Sequence, residues 1–161
     1  MRLIYTFLFI IFFHFTLFSA GPKRELRGVW VATVSNIDWP SARNYNVIKQ
    51  KNEFVDLLNS HQKTGINAVF VQIRTAADAL YAKSPEPWST FLSGLQGQPP
   101  SPYYDPLAFM IEESHARGIE FHAWLNLNRA SISTNSLLNA NHLVRKHPYR
   151  QMHQYRMKPS H

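Results

Sequence analysis

Cysteine is absent from this chain of 161 residues, so disulfides and thiolate metal sites are excluded, and the compartment is left open by that absence alone. Neither GxGxxG nor GxxxxGKS/T follows any predicted strand, so nucleotide binding through those phosphate-cradling loops has no support. Carboxylates also run out: residues 121–161 hold six Lys/Arg, five His and no Asp or Glu. The formal charge of +7 is therefore local, since residues 1–120 nearly balance at 11 basic and 10 acidic side chains. A basic excess can attract nucleic acid or anionic membrane. Confined to the last quarter, where hydrophobic patterning is weakest, it reads as a solvated tail, and nucleic acid is not an expected partner.

Long hydrophobic runs are lacking too. The one apolar run, Leu3–Phe18, has 16 residues and contains His14, short of the ~20 needed to span a bilayer. Arg2 precedes it, the small residues Ser19, Ala20 and Gly21 follow, and Lys23, Arg24 and Glu25 come next. A basic start, an apolar stretch and small residues before a polar segment form the pattern of a secretory signal. The expectation is a signal over residues 1–21, cleaved after Gly21 or Ala20, giving a secreted or envelope-located protein with no lasting membrane insertion. An uncleaved anchor is the alternative.

What is present after residue 25 alternates between strand and helix patterns. Leu26–Val34 is rich in β-branched and aromatic residues and predicts a first strand. Ser35–Tyr45 holds Asn36, Asp38, Pro40 and Ser41 and predicts a loop. Asn46 can cap a helix through Thr64, with Ile48, Val55, Leu58 and Gln62 near one face and Gly65 as the stop. A second strand, Ile66–Arg74, follows. Thr75–Tyr104 is then about 30 residues with five prolines and two glycines, a length that is usually functional or disordered, although its aromatics oppose simple disorder. Asp105-Pro106 opens a helix to Arg117, a carboxylate cap before proline at the first helical position. Leu107, Met110, Ile111 and Ser114 form its expected inner face. Gly118 closes it and a third strand runs Ile119–Asn126.

Short turns lead into these strands and long loops leave them, the asymmetry of a parallel α/β barrel whose site lies at the C-terminal ends of its strands. A doubly wound open sheet is the alternative. Alternation across a strand places Asn67, Val69, Val71 and Ile73 opposite Ala68, Phe70, Gln72 and Arg74. It likewise places Ile119, Phe121, Ala123 and Leu125 opposite Glu120, His122, Trp124 and Asn126. One face is mostly apolar; the other gathers hydrogen-bonding groups near its C-terminal end, as one wall of a polar site would.

Several residues there could carry chemistry, each with a plainer role beside it. Asp38 could bind sugar hydroxyls while Trp39 stacks, or close a turn and anchor a loop. Arg74 could hold a ligand carboxylate, orient Asp78 through a bidentate contact, or form an ion pair sealing the strand ends. Asp78 and Glu86 could act as a general acid and base, although sequence spacing does not fix their separation. His122 shares a face with Trp124 and Asn126, and Arg129 follows. No second histidine stands at ligand spacing within a motif, and neither a metal nor any other cofactor is expected.

With these segments in view, the chain resembles glycosyl-hydrolase-like family 10, whose fold is a (β/α)8 barrel. The matching stretches are ELRGVWVATVSNIDWPS, GINAVFVQIRTAADALY, EPWSTFLSGLQGQPP, YDPLAFMIEESHARGIEFHAWLN and, more loosely, NHLVRKHP, over about residues 25–148. The resemblance implies hydrolysis of a glycan outside the cytoplasm, with bacterial cell-wall carbohydrate as a substrate class. It implies sugar-cleft positions at Asp38, Gln72, Arg74, Asp78, Trp88, His122, Trp124 and Asn126, and it identifies no catalytic pair. After Asn126 the family tends toward Pro-Tyr-Arg, whereas Leu127 and Asn128 precede Arg129 here.

A (β/α)8 barrel takes about 250 residues and eight strands, and only three strands are predicted. The expectation is therefore the N-terminal portion of a barrel, cut short over residues 25–148 and followed by an irregular basic tail over residues 149–161. The functional expectation is a glycoside hydrolase present as an incomplete and inactive piece. A non-catalytic carbohydrate-binding remnant is the alternative. A nucleic-acid or membrane-surface binder is a third, carried by the tail alone. Oligomeric state is not legible.

Overall fold

The computed structural model describes residues 25–41, 45–133 and 136–148. The expected signal segment, residues 1–21, and the expected tail, residues 149–161, lie outside the described residues.

Three parallel strands form the sheet, β1 (Gly28–Val31), β2 (Ala68–Arg74) and β3 (Glu120–Leu125), in spatial order β1-β2-β3. Between them run α1 (Val47–Lys63), the short α2 (Thr90–Ser93) and α3 (Pro106–His115), and α4 (Leu143–Lys146) follows β3. The strand–helix alternation matches the sequence expectation. It is an α/β fold, and its parallel three-stranded sheet is consistent with part of a (β/α)8 barrel.

β1 ends earlier than expected. Its predicted continuation, Thr33 and Val34, gives both N–H groups to the Gln72 side-chain oxygen, at 3.1 and 3.0 Å. With these N–H groups taken by a side chain and not by the β2 backbone, the chain enters a 3-10 turn over Val34–Asn36, with Ser35 and Asn36 both at φ 54°. The Asn36 side chain ties this turn down by donating to the Pro40 and Phe91 carbonyls, each at 2.9 Å.

Helix ends follow local chemistry. The Asn46 side chain accepts from Lys49 N at 3.0 Å to start α1, and Gly65 at φ 78° reverses the chain into β2. The inner face of α1 is the expected one only at Leu58: Val47, Gln50 and Phe54 are buried with it, whereas Ile48 is 68% exposed, Gln62 is exposed and Val55 is partly covered. Phe54 sets that rotation by packing edge-on against Trp39, ring centroids 5.9 Å apart. Gln50 can be buried because every polar group of its side chain is paired, Nε2 donating to Leu92 O at 2.8 Å and Oε1 accepting from the Tyr104 hydroxyl at 3.1 Å. In α3, Met110 and Ser114 are buried as expected, with Pro106. Leu107 and Ile111 are partly covered.

The register pairs Val29 with Val69 and Phe121, and Val31 with Val71 and Ala123. This face carries the core, in which Val31, Val69, Val71 and Ile73 pack with Phe54, Leu58, Met110 and Ile119 beneath α1 and α3. The opposite face aligns Trp30, Phe70 and His122. Their rings stack in series, Trp30 on Phe70 at 4.8 Å and Phe70 on His122 at 4.6 Å, with Trp124 edge-on to Trp30 at 5.1 Å. Trp30 is 60% exposed. Gly28 lies under this stack, and a Cβ there would stand 2.7 Å from Phe70 Cε2.

The long segment after β2 is ordered. Ala79 N donates to Pro87 O and Ser89 N to Ala79 O, both at 2.9 Å, while Leu80 and Leu92 enter the core.

Candidate functional site

The C-terminal ends of the strands meet where backbone donors lose their ladder partners, so side chains must satisfy them. Gln72 joins β1 to β2. Its Oε1 takes the Thr33 and Val34 N–H groups, and its own carbonyl accepts from Thr33 Oγ1 at 2.7 Å. The residue is fully buried, yet Nε2 has no partner. Asn126 joins β2 to β3: its Oδ1 accepts from Trp124 Nε1 at 2.9 Å and its Nδ2 donates to Thr75 O at 3.2 Å. A register shift between Gln72 and Arg74 accompanies this junction.

Arg74 makes the bidentate contact that its geometry favours, but to Glu86 and not Asp78. Nε lies 2.7 Å from Glu86 Oε2 and Nη2 lies 2.5 Å from Oε1, while Nη1 donates to the Asn126 carbonyl. Hydrogen bonding to Glu86 is the main cause raising the Arg74 pKa above its ordinary value, opposed by burial. Arg74 and Glu86 thus form the ion pair that closes the rim. Asp78 is buried in its own turn, its Oδ1 accepting from Thr75 N at 3.1 Å, Thr75 Oγ1 at 2.5 Å and Ala76 N at 2.9 Å. Those bonds close the turn in which Ala77 sits at φ 53°. With Glu86 held by Arg74 and Asp78 folded into its turn, each carboxylate has a structural role.

The remaining positions are spread out. Asp38 is exposed, and its Oδ2 accepts from Ala32 N at 2.7 Å, which closes the loop after β1. Trp39 is fully buried and donates to Gln50 O at 2.9 Å, an anchor for that loop. Trp88 packs on the edge of the apolar core and edge-on to Tyr103, centroids 6.4 Å apart. His122 lies within the ring stack. Its Nε2 is 3.4 Å from Glu120 Oε2 but has no hydrogen-bond geometry to it.

Among the described residues, two of the clefts at this end matter for the predicted positions. The larger, about 670 Å³, is lined by Val34, Gln72, Trp124, Asn126, Asn128 and Arg129 among others, and no carboxylate is among its described lining residues. The smaller, about 360 Å³, lies between the Asp78 turn and the segment after β3, including Ala76, Gln96 and Ser131. The larger cleft brings together Gln72, Trp124 and Asn126 from the predicted set. Asp78 lines the smaller one, and Asp38, Arg74, Trp88 and His122 line neither. Among the described residues no cluster of three His, Cys, Asp or Glu side chains is arranged to hold a metal ion.

One structural residue escaped sequence reasoning. His142 is fully buried: its Nε2 lies 2.9 Å from Ala76 O, and its Nδ1 accepts from Val144 N at 3.2 Å as the cap of α4. Acceptance at Nδ1 makes Nε2 the protonated nitrogen, so the neutral ring fastens the last described segment to the turn after β2. Its position immediately before the Leu143–Lys146 helix was the available signal, but histidine is an uncommon cap.

Comparison with known proteins adds the ancestry of this arrangement. The family model described as Glycosyl hydrolase-like 10 matches residues 25–160. Glycosyl hydrolase YngK of Bacillus subtilis is 52% identical over 132 residues, covering 81% of this chain and 26% of that protein. Glycosyl hydrolase DigH of Escherichia coli is 39% identical over 119 residues, covering 70% of this chain and 27% of that protein. The chain therefore spans about a quarter of the length of these curated relatives.

Proposed function

This chain belongs to the glycosyl hydrolase-like 10 family, and from that premise we propose that it serves glycan hydrolysis, its own residues forming a saccharide-binding wall of the cleft. The observation that carries this reading is the convergence of Gln72, Trp124 and Asn126 on one cleft at the C-terminal ends of parallel strands, where ligands bind in such sheets. Trp124 offers an indole face to a sugar ring, held in place by its bond to Asn126. Neither metal nor cofactor enters this reading, and the partner is a glycan. Bacterial cell-wall carbohydrate is the substrate class, and the basic start and apolar run over Arg2–Phe18 support export to the envelope, where such polymers lie.

Cleavage of a glycosidic bond normally uses two carboxyl groups flanking it. The described lining of the larger cleft contains none, which favours a second reading, glycan binding by this chain without hydrolysis. One assay separates the two. The chain is incubated with purified cell-wall glycan strands while binding and release of reducing ends are both followed. New reducing ends support hydrolysis by this chain, and retention on the glycan without them supports the binding reading. Trp124→Ala should weaken retention about tenfold, the loss expected when an aromatic platform is removed. Absence of both binding and cleavage would remove the glycan assignment.

A further inference from the structure

Both ring nitrogens of the buried His142 are committed to backbone groups whose roles cannot change. The Val144 N–H can only donate, so Nδ1 accepts; the Ala76 carbonyl can only accept, so Nε2 carries the hydrogen. Only the neutral ring meets both demands. A proton added at Nδ1 would set two donors against each other and leave a cation in a buried site.

The surroundings do not compensate such a cation. In the turn after β2, Asp78 spends Oδ1 on Thr75 and Ala76, and Arg74 before it is paired with Glu86. Arg145, Lys146 and His147, on and beside α4, cannot balance a positive charge. Among the described residues no carboxylate forms an ion pair with the ring. Asn139, three residues earlier, holds the same segment through groups that do not titrate. Its N–H donates to Gln96 Oε1 at 2.8 Å and its Nδ2 donates to Gln96 O at 3.2 Å. The segment therefore has one tether that a proton can break and one that it cannot.

We propose that His142 is an acid-released latch. Neutral, it docks α4 on the turn after β2; protonated, it lets α4 leave while Asn139 remains as the hinge. Ser136, Leu137 and Leu138, which form one wall of the smaller cleft, precede the hinge and keep their place. Release uncovers the carbonyl of Ala76, at the margin of that cleft, as acidity rises.

The test is amide exchange followed by NMR on the full chain, expressed as protection factors so that the intrinsic pH dependence of exchange drops out. An exposed imidazole titrates near pH ~6.5, so the open form should gain about tenfold between about pH 7.5 and 5.5. Protection at Val144 should fall by that factor while protection at Asn139 stays constant. His142→Asn supplies a cap oxygen that takes up no proton, so Val144 protection should lose its pH dependence, whatever its absolute level. Asp78→Asn keeps an oxygen for the turn and should retain the dependence. In the native chain at about pH 7.5, long-range proton–nitrogen correlation spectra should place the His142 hydrogen on Nε2. Protection at Val144 that ignores pH, or a parallel fall at Asn139, would overturn the latch. So would a dependence that survives His142→Asn or vanishes in Asp78→Asn, and so would a hydrogen found on Nδ1.

Discussion

Tyr104 shows how a single buried hydroxyl links stability to pH. Its O–H donates to Gln50 Oε1 at 3.1 Å, and burial raises its pKa above the ordinary tyrosine value. The fold thus requires the neutral phenol, whereas the unfolded chain ionises at about pH 10. The stability it contributes is complete below that pH and is lost as pH rises further, by about 1.4 kcal/mol per pH unit. Tyr104→Phe should flatten this alkaline loss, which urea midpoints between about pH 9 and 11 would reveal. An equal slope in both proteins would exclude Tyr104 as its cause. At this scale the sequence was least informative. Alternation placed Gln72 on the polar face, but not that its oxygen would end β1. The partner of Arg74 was also hidden, because Asp78 is closer in sequence and the intervening loop delivers Glu86 instead.

At the scale of elements, Asp105 closes several backbone demands together. Its Oδ1 accepts from Leu107 N at 3.1 Å and Ala108 N at 3.4 Å, and its Oδ2 accepts from Ala82 N at 3.2 Å. Asp105→Ala should cost about 1–2 kcal/mol in a denaturant titration, with faster amide exchange at Leu107 and Ala108. Asp105→Asn keeps an oxygen for the cap and should lose less. Caps of this kind explain why element boundaries could be read from sequence. Asn46, Gly65, Asp105-Pro106 and Gly118 act on neighbours within one turn, so their chemistry is visible locally. The face of α1 was not visible in the same way. Gln50 reads as a surface residue until its partners, 42 and 54 residues away, are brought to it. His142 escaped notice for a similar reason, since Ala76 lies 66 residues before it.

Across the whole molecule, the two faces of the sheet are unequal. α1 and α3 share a core with one face, while the other presents Trp30, Phe70 and His122 with Trp30 60% exposed. Parallel sheets are ordinarily covered on both faces, and exposed apolar patches favour association with other apolar groups. The native chain should therefore bind a dye such as anilinonaphthalene sulfonate, and Trp30→Ser should reduce the fluorescence without removing cooperative unfolding. Absence of native-state dye binding would show this face to be closed in solution. The division of residues between faces was legible in the sequence because alternation is a two-residue rule. The series of stacked rings was not, since it depends on register between strands.

Gly28 governs that series from one edge of the sheet. With no room for even a methyl group beneath Phe70, any other residue at position 28 would lift the phenyl ring. Lifting it would open the contacts on both of its sides, so the change would propagate across the sheet to the imidazole at position 122. A substitution at the margin would then register two strands away as an altered histidine environment, without touching either the helices or the hydrogen-bonded rim.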